Sequence, residues 1–70
     1  MREKLREARK GAKMTQQQVA DRLGICLRYY KKIEAGETVG SVEIWDAMED
    51  MFSVHQRVLR EIHPGKEDSR

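Results

Sequence analysis

The sequence has few of the residues that cross-link, kink or anchor a chain. It has one cysteine, Cys26, one proline, and no long apolar run. A single cysteine cannot form an internal disulfide, and Cys26 with His55 and His63 lacks the paired spacing of a zinc site, so we expect neither a disulfide framework nor a structural metal. The basic first thirteen residues lack the apolar stretch of a signal peptide, and no segment is long enough to span a membrane. We therefore expect a cytoplasmic protein.

The residue sets that enzymes use are also missing. The chain offers no Ser/His/Asp set, no glycine-rich loop that cradles phosphates, and no carboxylate pair framed by a pocket. We predict that the protein is not an enzyme, needs no cofactor, and has no evident small-molecule ligand. Its 70 residues allow one domain with a small core, predicted at 1–63, followed by a polar, flexible tail at 64–70.

Two short predicted helices joined by a glycine turn lie between Thr15 and Gly36. Thr15 and Gln18 have the spacing of a capping box, in which each side chain bonds the backbone N–H of the other residue. The apolar residues that follow recur on one helix face, and Gly24 then permits a left-handed turn. A second helix is expected to begin near Cys26 and to end at Gly36. Two such helices with a tight turn are typical of a helix-turn-helix that reads DNA.

The second of these helices has an apolar inward side and a basic outward side. Ile25, Tyr30 and Ile33 can point inward together. An advance of about 100° per residue brings the following residues to the outer side: Arg28, Lys31, Lys32 and Ala35, with Leu27 and Tyr29 on the flanks. The outward face is therefore basic and nearly free of acid.

Charge is unevenly distributed along the chain. Residues 1–32 hold ten Lys/Arg and three Asp/Glu, a net charge of +7, whereas residues 33–70 hold four and nine, a net charge of −5. This distribution suits a protein that lays one side on a polyanion and keeps the other in solvent or against a partner. The plainer interpretation, that the charges only solvate the helix faces of a small protein, stays open on the charges alone.

Three further helices are predicted around this pair. Residues 2–10 form a charged helix, and Ser41 can cap a fourth helix. In that fourth helix Trp45 either fills the core or forms a dimer contact. Ser53 and Gln56 have the spacing of a second capping box, which would open a last helix. The predicted fold class is all-α.

The residues quoted above resemble the phage repressor and Cro-like helix-turn-helix proteins, also called the xenobiotic-response-element family of bacterial regulators. The resemblance covers roughly residues 5–54 and rests on Gln16, Val19 with Ala20, Gly24, Cys26, Ile33, Glu34 and Gly36. It implies a compact five-helix, lambda-repressor-like DNA-binding domain with its motif at about 15–36. Cys26, Gly40 and Glu49 depart from the family pattern. Because cysteine is a weak hydrogen-bond partner, the start of the second motif helix is expected to be poorly capped.

The resemblance also assigns roles to individual residues. It implies base reading in the major groove by Leu27, Arg28 and Lys32, and phosphate contacts by Thr15 and Gln16. The chemistry of the residues adds Lys31 to the base readers, and it adds Gln17, at the free start of its helix, and the Tyr29 hydroxyl to the phosphate contacts. An internal ion pair is expected between Arg9 and Glu34. Two alternatives remain open, since the lysines can read guanine or neutralise phosphate, and Tyr29 can bond a phosphate or lie inward and partly buried.

Taken together, these features predict sequence-specific binding of double-stranded DNA by a transcriptional regulator, most simply a repressor that occupies a palindromic operator as a homodimer. Dimerisation is expected through the C-terminal helices, because the last helix has more apolar residues than a small monomer needs. Two reading helices about 34 Å apart would also roughly double the binding energy. The alternative function is an antitoxin-like or anti-repressor-like protein-binding module, with the acidic, apolar second half as its contact surface.

Overall fold

The chain forms five α-helices in a computed structural model that describes residues 1–61, and this part contains no strand. The helices are α1 at Glu3–Gly11, α2 at Gln16–Leu23, α3 at Leu27–Ala35, α4 at Val42–Phe52 and α5 at Gln56–Leu59. The predicted all-α, five-helix fold is confirmed. The last helix was predicted to continue to about His63, but α5 ends at Leu59, so that bound is wrong. The predicted tail at 64–70 lies outside the described residues. No helix within the described part is long and apolar enough to cross a membrane.

Local interactions set the start and end of α2 and the start of α3. The Gln18 backbone N–H donates to Thr15 Oγ1 at 3.1 Å, and the Thr15 N–H donates to Gln18 Oε1 at 2.8 Å. Gly24 then ends α2 in the left-handed conformation, at φ +72°. Cys26 precedes α3 and its side chain makes no capping hydrogen bond. The structure thus confirms the predicted capping box of α2. It also confirms that the start of α3 is poorly capped.

One apolar cluster lies where the five helices meet. Its buried members are Leu5, Val19, Ala20, Tyr30, Ile33, Ile44, Trp45, Met48 and Leu59. Trp45 is 1% exposed, and its indole N–H donates to the Val39 carbonyl oxygen at 2.6 Å. Trp45 therefore fills the core, which confirms the first of its two predicted roles.

The predicted capping box of Ser53 and Gln56 is wrong. Ser53 ends α4 in the left-handed conformation, at φ +56°, and α5 begins only at Gln56. His55 caps α5 instead, because its Nδ1 accepts a hydrogen bond from the Arg57 backbone N–H at 3.0 Å. The Gln56 amide donates to Asp46 Oδ1 at 2.7 Å and to Glu49 Oε1 at 3.0 Å. Its side chain thus binds α4 rather than its own helix start.

Arg2 lies just before α1 rather than within it, and it is 3% exposed. Its guanidinium donates to the carbonyl oxygens of Ile33 at 2.6 Å, Thr38 at 2.9 Å and Arg60 at 3.2 Å. It also lies 5.2 Å from the centroid of the Trp45 ring. Burial, and then the nearby charge of Arg60, lower the pKa of Arg2. Since Ile33 is in the last turn of α3 and Arg60 caps α5, this one cation joins the C-terminal ends of two helices.

Candidate nucleic-acid interface

The two sides of α3 differ sharply in exposure. Tyr30, Ile33 and Glu34 are buried on the inner side. The outer side presents the exposed residues Arg28, Lys31, Lys32 and Ala35, with Leu27 and Tyr29 half-buried on the flanks. Because the inner side packs into the core, the basic side has to face away from the rest of the protein. The helical periodicity predicted this division.

An open concavity of about 460 Å³ lies along the outer face of α3. It is lined by Leu27, Arg28, Lys31, Lys32, Ala35 and Glu37. None of the three cations in it makes an ion pair with a described residue. Their charges are therefore available to an anionic partner, for which neutralisation by lysine and arginine supplies much of the affinity.

The start of α2 presents backbone donors rather than free side chains. The Thr15 hydroxyl caps the helix, the Gln16 amide donates to Glu34 Oε1 at 2.7 Å, and the Gln17 amide donates to Asp21 Oδ1 at 2.8 Å. The backbone N–H groups of Gln16 and Gln17 have no acceptor among the described residues. A helix start of this kind, with free N–H groups and the positive end of the helix dipole, suits a phosphate.

A buried carboxylate fixes α3 relative to α1 and α2. Glu34 is 2% exposed, and Arg9 donates to it from Nε at 2.8 Å and from Nη2 at 3.3 Å. The Tyr30 hydroxyl donates at 2.9 Å, and the Gln16 amide completes the set. The ion pair inferred from the family resemblance is thus part of a larger network that joins three helices.

The electrostatics of this network keep its donors protonated. The hydrogen bond to Glu34 raises the pKa of Arg9, against a smaller opposing effect of burial. Burial, and then the negative charge of Glu34, raise the pKa of Tyr30 far above its usual range. The Tyr30 hydroxyl therefore remains a donor, and the Arg9 guanidinium remains charged, at any pH at which the protein is handled. These two donors therefore do not switch with pH in that range.

Two residues near the site were not identified from the sequence. Glu37 lies in the α3 concavity, but helical periodicity ends at Gly36 and so gave no signal for its direction. Arg2 supports the C-terminal end of α3, but its sequence position indicates only a charged helix. Tyr29, for which two interpretations were open, packs partly against the core.

Comparison with known proteins agrees with this geometry. A family model described as helix-turn-helix matches residues 5–55, which is most of the 70-residue chain and runs from α1 to the residue that caps α5. No curated protein and no solved structure matches the chain.

Proposed function

The chain belongs to the helix-turn-helix family of the Cro/C1 type, whose domain binds DNA sequence-specifically in transcription regulation, and from this premise we propose that it is a repressor that occupies a palindromic operator as a homodimer. In this proposal α3 enters the major groove and α2 lies across the phosphate backbone. The observation that carries it is the row of cations on the outer face of α3, which make no ion pair with any residue of 1–61.

Each residue of the outer face has a partner of suitable chemistry on DNA. Arg28 can donate two hydrogen bonds to guanine O6 and N7, and Leu27 can contact a thymine methyl group. Lys31 and Lys32 can neutralise phosphates or bond a guanine. The free N–H groups at the start of α2 supply a further phosphate contact, which would fix the register of α3 in the groove.

We expect Arg28→Ala to abolish the preference for one guanine in each half-site. A bidentate arginine contact accounts for about 1 to 3 kcal/mol of discrimination, or roughly a five- to 150-fold ratio between the right and the wrong base. Selection from a random duplex library, followed by anisotropy on the selected site and on each single-base variant over a salt series, measures this ratio.

Two matched variants separate base reading from charge. Lys4→Ala removes a cation from the exposed side of α1, and it should leave the base preferences unchanged. Lys32→Ala should either reduce discrimination at one position, as a base reader would, or weaken all sites alike and lower the salt slope by about one, as a phosphate contact would. Retention of the full guanine preference by Arg28→Ala would exclude that residue as the reader.

We also expect two protomers on each palindromic site. Within the described residues, Leu59 of α5 is used by the core, whereas Val58 is 36% exposed and Val42, in the first turn of α4, is 72% exposed. These valines leave apolar surface on the two C-terminal helices that a second copy can cover. Sedimentation velocity on a fluorescent palindrome should give a two-to-one complex, and a strict one-to-one complex would rule out the dimer.

The contact surface can be tested in the absence of DNA. Val58→Asp places a charge on α5 and should shift self-association to higher protein concentration. Ala12→Asp adds the same charge at an exposed position after α1 and serves as the control. Equal self-association of the two variants would place the interface elsewhere.

A protein-binding module is the second candidate function. The observation in its favour is the outer side of α4, where Glu43, Asp46 and Asp50 are exposed and the helix contains no basic residue. An acidic surface of this kind suits a basic partner protein. Charge removal separates the two functions, since loss of the Asp50 carboxylate should weaken binding of a basic partner protein, whereas DNA binding through α3 should not weaken.

A further inference from the structure

We infer that Glu37 is a second base-reading residue, which selects a cytosine about three base pairs from the guanine read by Arg28. The inference rests on the proposed function, because it requires α3 to lie in the major groove. Its basis is that Glu37 lines the same concavity as Arg28, although it comes after the end of the helix.

The turn after α3 brings Glu37 back beside the helix. Gly36 ends α3 in the left-handed conformation, at φ +85°. The next residue, Glu37, then donates its backbone N–H to the Lys32 carbonyl oxygen at 2.9 Å. This hydrogen bond holds the Glu37 backbone against the last turn of α3 instead of letting it continue away from the helix. The acid is thus fixed at the C-terminal end of the surface that faces the DNA.

The length of α3 sets the spacing between the two readers. The last turn of the helix lies five to seven residues beyond Arg28, which at about 1.5 Å per residue is roughly 8 to 10 Å along the axis. Successive base pairs are about 3.4 Å apart, so this distance corresponds to about three base-pair steps. A half-site should therefore contain two fixed G·C pairs separated by that interval.

The Glu37 carboxylate has one favourable partner on DNA. It is exposed, and it makes no ion pair with a described residue even though three cations share its concavity. An ionised carboxylate only accepts hydrogen bonds, and phosphates repel it. The amino group at cytosine N4 has an acceptor on one side only, the O6 of the paired guanine, whereas the adenine amino group has an acceptor on both sides, its own N7 and the O4 of thymine. Cytosine is therefore the base that a carboxylate selects.

Library selection with the full chain and with Glu37→Gln tests the inference. Wild type should enrich the second G·C pair, and anisotropy should show about a five- to tenfold preference for it over the other pairs. Glu37→Gln should lose this preference or change it to adenine, because an amide can bond adenine N6 and N7 together. The preference at the Arg28 position should stay unchanged, and so should the melting temperature, since Glu37 is exposed.

Asp50→Asn is the matched control, because it removes the same charge from an exposed position on α4 outside the concavity. It should leave every base preference intact. If Glu37→Gln bound all sequences more tightly by the same factor, Glu37 would lie over a phosphate and the inference would be wrong. An unchanged preference in Glu37→Gln overturns this inference alone, whereas a wild-type chain that enriches no sequence overturns both it and the proposed function.

Discussion

Replacement of Glu34 by alanine is expected to lower the free energy of unfolding by about 3 to 5 kcal/mol, because it leaves a buried ion-pair partner uncompensated. The carboxylate is 2% exposed and accepts hydrogen bonds from Arg9, Tyr30 and Gln16. A domain of 70 residues has a total stability of roughly 4 to 10 kcal/mol. The loss is therefore about a third or more of the total stability, and the variant should melt well below wild type. Urea unfolding followed by circular dichroism measures the difference.

Tyr30→Phe is the graded control for this prediction. It removes one donor to Glu34 and keeps the ring in the core, so the expected loss is about 1.5 kcal/mol. Arg9 and Gln16 still satisfy the carboxylate in that variant. A Glu34→Ala protein that melted within about 2 °C of wild type would contradict the prediction, since each kcal/mol shifts the melting temperature of a domain this small by about 4 to 8 °C.

The Glu34→Ala variant also tests whether this network affects DNA binding. Glu34 lies on α3 and bonds Gln16, the first residue of α2. In the proposed complex these two helices bind the groove and the backbone respectively. At a low temperature where Glu34→Ala is folded, we expect weaker affinity for the selected site, because the free protein no longer holds the two helices in the binding geometry.

Arg2→Met is expected to cost about 2 to 4 kcal/mol of stability, because it removes three hydrogen bonds and leaves two partly buried backbone carbonyls without a donor. Methionine is apolar and flexible enough to fill much of the same space. It cannot donate to the carbonyl oxygens of Thr38 and Arg60, which no other donor among the described residues satisfies. It also removes the cation that lies 5.2 Å from the Trp45 ring centroid. Thermal and urea unfolding both measure the loss.

Two further arginine variants define how Arg2 acts. Arg6→Met changes a partly exposed arginine on α1 whose acidic partner, Glu3, lies three residues away, so it should cost less than about 0.5 kcal/mol. Arg2→Lys should recover only part of the loss, since one ammonium group lacks the planar geometry that reaches three carbonyls at once. Equal destabilisation by Arg6→Met and Arg2→Met would show that the buried hydrogen bonds contribute nothing specific.

The correct sequence predictions concern short-range patterns. Thr15 and Gln18 satisfy each other across three residues, and Gly24 adopts the left-handed turn for which it is suited. Helical periodicity likewise separated the buried Tyr30 and Ile33 from the exposed Arg28. Each of these outcomes depends on residues within one or two helical turns, so the amino-acid sequence alone contains the necessary information.

The spacing of a capping box, which was correct at Thr15 and Gln18, gave a wrong prediction at Ser53 and Gln56. Their spacing fits a capping box, but Ser53 instead takes the left-handed position that ends α4, a conformation that residues other than glycine rarely adopt. Packing of α5 against α4 decided the outcome, because the Gln56 amide donates to two carboxylates on α4 instead of capping its own helix. No local rule includes a partner seven or ten residues away on another helix.

The sequence by itself determined the all-helical class, the family, the helix-turn-helix and the basic outer face of α3, because periodicity and capping act over a few residues. Only the tertiary structure decided that Arg2 is buried among carbonyls 31 to 58 residues away, and that Glu34 gathers donors from three helices. It also placed Glu37 beside the cations on the outer face of α3. A charged side chain looks the same in the sequence whether it solvates a surface or satisfies a buried group, and only the packing of distant segments distinguishes these cases.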